Sequence, residues 1–285
     1  MTGEANFSNL ELVARIDSWP YFQRDPDVYR KHMMSYYYFS ITRFDKPFGY
    51  AHYSIIPKVS WEESWRIDKE HRLLIFEGGN NFDERCRRME DTLRSNPKKD
   101  ETSAFGGWCD ELFPVYDANG EHILDLNGAS VDALGIVNYA CHLIADVITK
   151  DGLKDWVSRR AKTKRGFPDM LDNTVGGSLS SGEKPIDCIV RECAEEASLP
   201  TEYTKAKIIA CGDVVPIPND GGAQEFNLIS LEEVVTALRK GEFKLNCAMT
   251  WMASLIRHGY VNAENESNLA EISSRLHRKH ELFIA

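Results

Sequence analysis

The chain has 285 residues, 42% of them hydrophobic, which is enough for one large domain or two ordinary domains with a sizeable core. Its formal net charge of −10 argues against a nucleic-acid-binding surface, because such surfaces are basic. A small phosphorylated substrate agrees better with this charge, since a bound divalent metal offsets negative charge locally.

The seven cysteines are scattered and form no C-x-x-C pair, so the sequence predicts neither a zinc site nor a disulfide framework. The first residues lack a basic region followed by a long apolar run, and no stretch approaches the ~18 apolar residues of a membrane span. These features predict a soluble cytoplasmic protein without a membrane partner, and they leave a mitochondrial address open.

In chain order, residues 1–128 are predicted to form a smaller N-terminal α+β domain. Its expected elements are a first helix ending near Trp19, strands at 36–41 and 48–56, a helix at 83–94 and a hairpin at 112–124. Aromatic side chains are concentrated here. They form either a small core with a partly exposed aromatic face or a platform for a planar heteroaromatic ring.

Residues 129–285 are predicted to form the second domain. Its expected elements are a hairpin at 139–159, short strands at 207–211 and 213–217, a strand at 225–229, and helices at 231–240, 247–258 and 265–277. A basic cluster stands out in this acidic protein, either as a solubilising loop or as a phosphate clamp. It consists of Arg159, Arg160, Lys162, Lys164 and Arg165.

Most of the candidate functional residues lie in residues 177–199 (GSLSSGEKPIDCIVRECAEEASL). Pro185 suits the first position of a helix, because no amide partner is needed there. Glu192, Glu195 and Glu196 are three and four residues apart, so they crowd one side of that helix. Three hard oxygen ligands on one rigid element suit Mg²⁺ or Mn²⁺.

Arg191 follows Glu183 by eight residues. A guanidinium at this position is expected to bridge back to Glu183 bidentately and so tie the preceding turn to the helix. Such a bridge fixes the geometry of the carboxylates before a metal binds.

This stretch resembles the Nudix box, G-x5-E-x7-R-E-U-x-E-E-x-G-U, in which U is an apolar residue. The matching residues are Gly177, Glu183, Arg191, Glu192, Cys193, Glu195, Glu196 and Leu199. Ser198 stands where the family has Gly, which predicts a weaker helix exit, because Ser adopts left-handed backbone less readily. The resemblance implies an α+β fold with a Nudix α/β/α sandwich and a mixed sheet, preceded here by the domain at 1–128.

The resemblance also implies roles for the matching residues. The implied catalytic and metal-binding residues are Glu192, Glu195 and Glu196. Structural support of the site is implied for Gly177, Glu183 and Arg191. The basic cluster adds three candidates for substrate binding, namely Arg159, Arg160 and Lys164. The proton acceptor stays open between the helix glutamates and a downstream acid such as Glu225.

Longer stretches are similar to a two-domain Nudix group of fungi and plants that is linked to thiamine diphosphate. They are residues 108–116 (WCDELFPVY), 156–164 (WVSRRAKTK), 168–177 (PDMLDNTVGG), 215–228 and 241–259. Members resemble phosphatases that trim thiamine diphosphate, or a damaged analogue such as oxythiamine diphosphate, to the monophosphate. The resemblance therefore implies a phosphoanhydride hydrolase with Mg²⁺ or Mn²⁺ as cofactor and a small-molecule diphosphate as partner. The oligomeric state stays open.

Two alternatives remain. The same chemistry would also suit an oxidised nucleoside diphosphate such as 8-oxo-dGDP, because both rings are planar. The second alternative is a non-catalytic ligand-binding Nudix module. Between Cys211 and Asp213 the chain is shorter than the relatives it resembles, by a segment that forms two strands in them. Either an exon is missing from the gene model, or strands have been lost and the sheet has exposed unpaired edges.

Overall fold

The computed structural model describes residues 5–100, 102–164, 166–207, 215–278 and 282. Helices and strands are both abundant in these residues, which confirms the predicted α+β class. The helices, in chain order, are α1 (Asn9–Ile16), α2 (Pro26–Met33), α3 (Phe82–Ser95), α4 (Gly128–Leu134), α5 (Pro185–Ala197), α6 (Thr201–Lys207), α7 (Leu231–Lys240), α8 (Leu245–Arg257) and α9 (Leu269–Leu276). No helix in these ranges is both long and apolar enough to cross a membrane.

The strands share no single sheet. In chain order they are β1 (Tyr36–Ile41), β2 (Gly49–His52), β3 (Trp65–Asp68), β4 (Leu73–Phe76), β5 (Leu112–Tyr116), β6 (His122–Asn127), β7 (Ala140–Leu143), β8 (Ala145–Thr149), β9 (Gly152–Arg160), β10 (Leu171–Asp172), β11 (Val175–Ser178) and β12 (Ala223–Ser230). A short 3₁₀ helix (Tyr53–Lys58) follows β2.

The chain forms two compact units, and each is discontinuous in sequence. Unit 1 comprises the described residues within 1–18, 140–178 and 184–278. Unit 2 comprises those within 19–139 and 179–183, together with residue 282. The division into domains 1–128 and 129–285 stays a prediction.

Unit 2 contains a four-stranded mixed sheet in the order β2-β1-β4-β3. Strand β1 pairs antiparallel with β2 and parallel with β4. Alternate side chains of β1 are buried, because successive side chains of a strand point to opposite faces. Phe39 and Phe76 thereby enter one core with Met89 of α3 and Leu124 of β6. The predicted hairpin of β5 and β6 is also confirmed.

Unit 1 is built around β9, the strand that ends at the predicted basic cluster. Strand β9 pairs antiparallel with β8, β10 and β12. The predicted hairpin forms between β8 and β9, with its turn at Lys150 and Asp151 and with Gly152 already paired with Thr149, whereas residues 140–143 of the expected first arm pair elsewhere. Strands β7 and β11 form a separate antiparallel pair. Helix α5 packs against that pair.

Two hydrophobic clusters lie on opposite faces of β12. Phe226 joins the cluster beneath α5, whereas Ile229 joins the cluster formed with α1, α7, α8 and α9. Residues an odd number of positions apart on a strand point to opposite faces, so helices cover both sides of the strands. This layering agrees with the predicted α/β/α sandwich.

Several predicted boundaries were wrong. The strand expected at 48–56 ends at His52, because the His52 ring accepts the Ser54 amide and starts the 3₁₀ helix. Helices α2 and α6 were not predicted, and Lys207 ends α6 instead of beginning a strand. Residues 208–214, which include Cys211 and Asp213, lie outside the described residues. Residues 215–217 form no strand, and the Ile217 amide donates to the Ala197 carbonyl.

Ser198 ends α5 in left-handed backbone, with φ of 53°. Replacing Ser198 with Gly is expected to raise the free energy of unfolding by about 0.5–1 kcal/mol, because Gly has no Cβ to strain this conformation. Urea unfolding measures the change. Ser198→Ala keeps the Cβ and is the matched control, for which no gain is expected. Equal stability of all three proteins would contradict the argument.

Asp155 of β9 lies directly opposite Asp146 of β8 and is 7% exposed. Burial, and then the Asp146 charge, raise the pKa of Asp155 to about 6 from 3.8. Because the pKa of Asp155 is higher in the folded state than in the unfolded state, its contribution to stability is complete below about pH 4. This contribution is lost as the pH rises through about 6.

Asp155→Asn is therefore expected to stabilise the protein by about 1–3 kcal/mol at pH 8 and hardly at all at pH 4. Unfolding curves at the two pH values provide the test. Asp151→Asn, in the exposed turn of the same hairpin, is the control and should change stability by less than about 0.5 kcal/mol at both. A gain from Asp155→Asn that does not depend on pH would contradict the assignment.

Candidate metal centre

Helix α5 presents one apolar face and one acidic face. Pro185 occupies its first turn, as predicted. Ile189, Cys193 and Ala197 are buried against Val175 of β11. This packing fixes the rotation of the helix about its axis, so Glu192, Glu195 and Glu196 have defined positions relative to β11.

Glu192 lies against the backbone of Gly177. A Cβ atom at Gly177 would lie 1.9 Å from Oε1 of Glu192, so the carboxylate occupies the space that any other residue would fill. Arg191 Nη1 donates to the same Oε1 at 2.7 Å, and Glu192 is 8% exposed. The supporting role of Gly177 stays a prediction, and the close approach of Glu192 gives a steric argument for it.

Arg191 also binds the next carboxylate along the helix. Its Nη1 donates to Oε2 of Glu195 at 3.1 Å, and Nη2 donates to the Ser178 carbonyl at 3.3 Å. The guanidinium thus joins two glutamates of α5 to the end of β11. Glu195 is half-exposed, so its outer oxygen faces a region that solvent reaches.

Glu196 receives the backbone N–H of Gly176 at 3.2 Å. Burial raises the pKa of Glu196 to about 7, and the negative charges of Glu192, Asp220 and Asp172 act in the same direction. Crowded carboxylates of this kind favour a bound cation, which replaces the proton and removes the repulsion. The oxygen donors of these carboxylates therefore fit a hard divalent ion such as Mg²⁺ or Mn²⁺.

Glu183 belongs to the segment 179–183 of unit 2 and is described with that unit. Its carboxylate accepts the Ser180 amide at 3.3 Å, and its own amide donates to the Ser180 carbonyl. These bonds close a tight turn just before α5. The bridge between Arg191 and Glu183 stays a prediction.

The predicted substrate-binding arginines bind protein oxygens. Arg159 donates to Glu225 at 3.0 Å and to the Asp169 carbonyl at 2.9 Å. Arg160 donates to Asp172 at 2.8 Å and to the carbonyls of Gly166 and Phe167. Their contact with a substrate phosphate stays a prediction.

Lys164 lies in the turn after β9, where its amide donates to the Ala161 carbonyl. Arg165 lies outside the described residues. Glu225, the downstream candidate for proton acceptor, is half-exposed and forms its ion pair with Arg159.

A second polar cluster lies beside the carboxylates and was not predicted. One ring nitrogen of His142, one carboxylate oxygen of Asp172 and the Cys247 sulfur lie within 4.8 Å of one another. His142 is the ladder partner of Gly176, whose amide binds Glu196. Strand β7, strand β10 and helix α8 supply the three residues. Nothing in their sequence spacing indicates this meeting.

No protein-family model matches the chain. Nudix hydrolase 20, chloroplastic, of Arabidopsis thaliana is 28% identical over 57% of this chain, which spans about half (51%) of the length of that relative. The isopentenyl-diphosphate Delta-isomerase of Shigella boydii is 31% identical over 27% of the chain and 46% of its own length. Together with the geometry of α5, the relatives named Nudix hydrolases support the Nudix class for this chain.

More narrowly, the chain belongs to the family of the uncharacterized protein YJR142W of Saccharomyces cerevisiae. The two are 30% identical over 96% of this chain and 91% of the yeast protein.

Gly177→Ala is expected to displace the Glu192 carboxylate and weaken Mn²⁺ binding at least about 10-fold, because the added Cβ overlaps Oε1. Titration of the purified protein with Mn²⁺ under electron paramagnetic resonance measures the affinity. Gly166→Ala is the matched control, since a Cβ there meets nothing within 4 Å. Mn²⁺ binding by Gly177→Ala that equals the wild type would show that Glu192 does not bind the ion.

Proposed function

We propose that the chain is a metal-dependent Nudix hydrolase that cleaves a small-molecule diphosphate to the monophosphate and inorganic phosphate. The observation that carries the proposal is the arrangement of three glutamates on α5 against two successive glycines of β11. Glu192 fills the space above Gly177, and Glu196 receives the amide of Gly176. Names of the plant relatives, which include "Nudix hydrolase", support the same class.

In this proposal Glu192, Glu195 and Glu196 hold Mg²⁺ or Mn²⁺ through carboxylate oxygens. When bound, the ion neutralises charge on the diphosphate oxygens and lowers the pKa of the attacking water. Arg191 keeps Glu192 and Glu195 in place through its two short hydrogen bonds. One of the glutamates, or Glu225, accepts the proton from the attacking water.

In this proposal the basic cluster around the end of β9 binds the substrate. Lys164 and the arginines Arg159 and Arg160 supply positive charge for the terminal phosphate. Arg159 has to exchange Glu225 for the substrate if it is to take part, because the two form an ion pair. Arg160 is more firmly held, with its guanidinium on Asp172 and on two backbone carbonyls.

Thiamine diphosphate and oxythiamine diphosphate are the first substrates to test, because the longer stretches of sequence resemble thiamine-linked Nudix proteins. An 8-oxo-dGDP substrate is the alternative within the same chemistry. A non-catalytic module is the alternative from another class, and the segment that motivates it includes residues outside the described ranges. Cytoplasmic location and the lack of a nucleic-acid partner stay predictions.

Phosphate release with Mg²⁺ or Mn²⁺, measured across these three diphosphates, tests the proposal. Glu196→Gln is expected to lower kcat at least about 100-fold, because an amide neither binds the ion as a carboxylate does nor accepts a proton. Thermal unfolding of the same sample shows whether the fold is kept.

Glu202→Gln, on the exposed surface of α6, is the matched control and should stay within about two-fold of the wild-type rate. Turnover by Glu196→Gln at the wild-type rate would contradict the proposed role of α5 in the reaction. Wild-type protein that is folded, is stabilised by a diphosphate and releases no phosphate would instead support the binding-only alternative.

A further inference from the structure

The cluster of His142, Asp172 and Cys247 combines three kinds of metal-binding atom in one place. A ring nitrogen, a carboxylate oxygen and a thiol sulfur lie within 4.8 Å of one another. Asp172 and Cys247 are buried and His142 is partly buried. The residues come from three separate elements of unit 1, so their meeting depends on the packing of β7, β10 and α8.

Unsatisfied polar atoms surround this cluster. Within the described part of the chain, the buried Nδ1 of His142 has no hydrogen-bond partner, and the same holds for both amide atoms of Asn173. Most buried polar atoms in proteins are paired, so a group of unpaired ones indicates a missing partner such as an ion or an ordered water. Asn173 follows Asp172 directly in the sequence, and its backbone amide donates to Oδ1 of Asp172 at 2.9 Å.

Hydrogen bonds and ion pairs orient the carboxylate of Asp172, as they do for many metal-binding carboxylates. Its Oδ2 accepts from Arg160 at 2.8 Å and lies 3.8 Å from the Lys244 ammonium, while its Oδ1 accepts the Asn173 amide at 2.9 Å. The Cys247 sulfur lies 2.6 Å from that Oδ1. Hydrogen bonds of this kind orient a ligating carboxylate and leave its remaining oxygen lone pair directed at the ion.

We propose that His142, Asp172 and Cys247 bind a transition-metal ion of the zinc type, at a site separate from the glutamates of α5. The sulfur and nitrogen donors select such an ion over Mg²⁺, which prefers oxygen ligands only. Three protein ligands leave a fourth tetrahedral position open for water or a substrate oxygen. On binding, the ion replaces the thiol proton of Cys247, which passes to solvent.

The positive charges beside Asp172 set a condition on this site. Arg160 and Lys244 together carry two positive charges, so Asp172 alone cannot offset a divalent ion. The thiolate of Cys247 adds a second negative charge, so that the two ligand charges equal the charge of the divalent ion, while Arg160 and Lys244 stay as neighbouring cations. The proposal therefore requires Cys247 as a ligand, and a variant without this sulfur should lose the ion.

The site lies close to the candidate hydrolase centre. His142 pairs with Gly176 across the β7–β11 ladder, and a Cβ at Gly176 would lie 2.4 Å from the His142 ring. The amide of the same glycine binds Glu196. Gly176 thus contacts both His142, a ligand of the proposed ion, and Glu196 of α5.

Cobalt(II) titration of the purified full-length chain tests the proposal. Co²⁺ bound by a thiolate in tetrahedral geometry gives a near-ultraviolet charge-transfer band and strong visible bands. We expect both to saturate at one equivalent and to persist in excess Mg²⁺. Cys247→Ser should abolish the charge-transfer band, whereas Cys141→Ser, which removes the thiol next to His142, should keep it.

Two further measurements do not depend on the folding of Cys247→Ser. His142→Gln, which keeps the thiol, should weaken Co²⁺ binding at least about 10-fold. X-ray absorption of the cobalt-loaded wild type should show one sulfur ligand with nitrogen or oxygen neighbours. Absence of sulfur from that spectrum, or a charge-transfer band that survives Cys247→Ser, overturns the proposal.

Glu196→Gln separates this site from the proposed hydrolase. The variant is expected to lose phosphate release and to retain the full cobalt spectrum, since Glu196 is not a ligand of the proposed ion. Loss of the cobalt spectrum in a folded Glu196→Gln sample would mean that the ion binds to α5, which contradicts a separate site. Wild-type protein without hydrolase activity that still gives the spectrum leaves the metal site in place and rejects only the hydrolase.

Discussion

The close contact between the backbone of β11 and the carboxylates of α5 is the constraint on which the rest of unit 1 depends. Gly176 gives its amide to Glu196, and Gly177 leaves the space that Glu192 fills. The contact with Glu192 requires a position without a side chain, and a side chain at Gly176 would meet the His142 ring. Because β7 pairs with the other edge of β11, strand, helix and polar side chains form one packed arrangement in which a shift of any part moves the others.

Burying several carboxylates on one helix costs free energy of folding, and the three glutamates of α5 receive unequal compensation. The single positive charge of Arg191 offsets part of the charge of Glu192 and Glu195 through charge-assisted hydrogen bonds of 2.7 and 3.1 Å. Among the described residues, the backbone amide of Gly176 donates to Glu196, and the pKa of Glu196 is raised to about 7 by burial and by its acidic neighbours. The fold therefore retains repulsion on α5, and the cation proposed for this helix would remove it.

Positive charge lies beside β9, β10 and α8. Arg160 connects the loop at 166–167 to Asp172, and Lys244 approaches the same carboxylate from the start of α8. Asp172 in turn contacts Cys247 and contributes to the raised pKa of Glu196. The acidic helix and the polar cluster around Asp172 are consequently coupled electrostatically, although different elements build them.

The sequence by itself determined the α+β class, most of the helices and hairpins, and the acidic helix with its neighbouring glycine. These features depend on local spacing: Glu192, Glu195 and Glu196 share a side of α5 because a helix repeats every 3.6 residues, and β8 and β9 pair because Asp151 and Gly152 favour a tight turn. Helix α2 and the 3₁₀ helix after β2 were missed, because side-chain caps such as Asp25 and His52 override a weak propensity.

Only the tertiary structure decided which distant residues meet. The sequence left the basic cluster open between a solubilising loop and a phosphate clamp. It gave no sign that Arg159 binds Glu225 and Arg160 binds Asp172, which strand pairing and folding bring to them. The cluster of His142, Asp172 and Cys247 leaves no pattern along the chain. Its three residues converge because hydrophobic packing, which is non-directional and acts across any sequence separation, brings β7, β10 and α8 together.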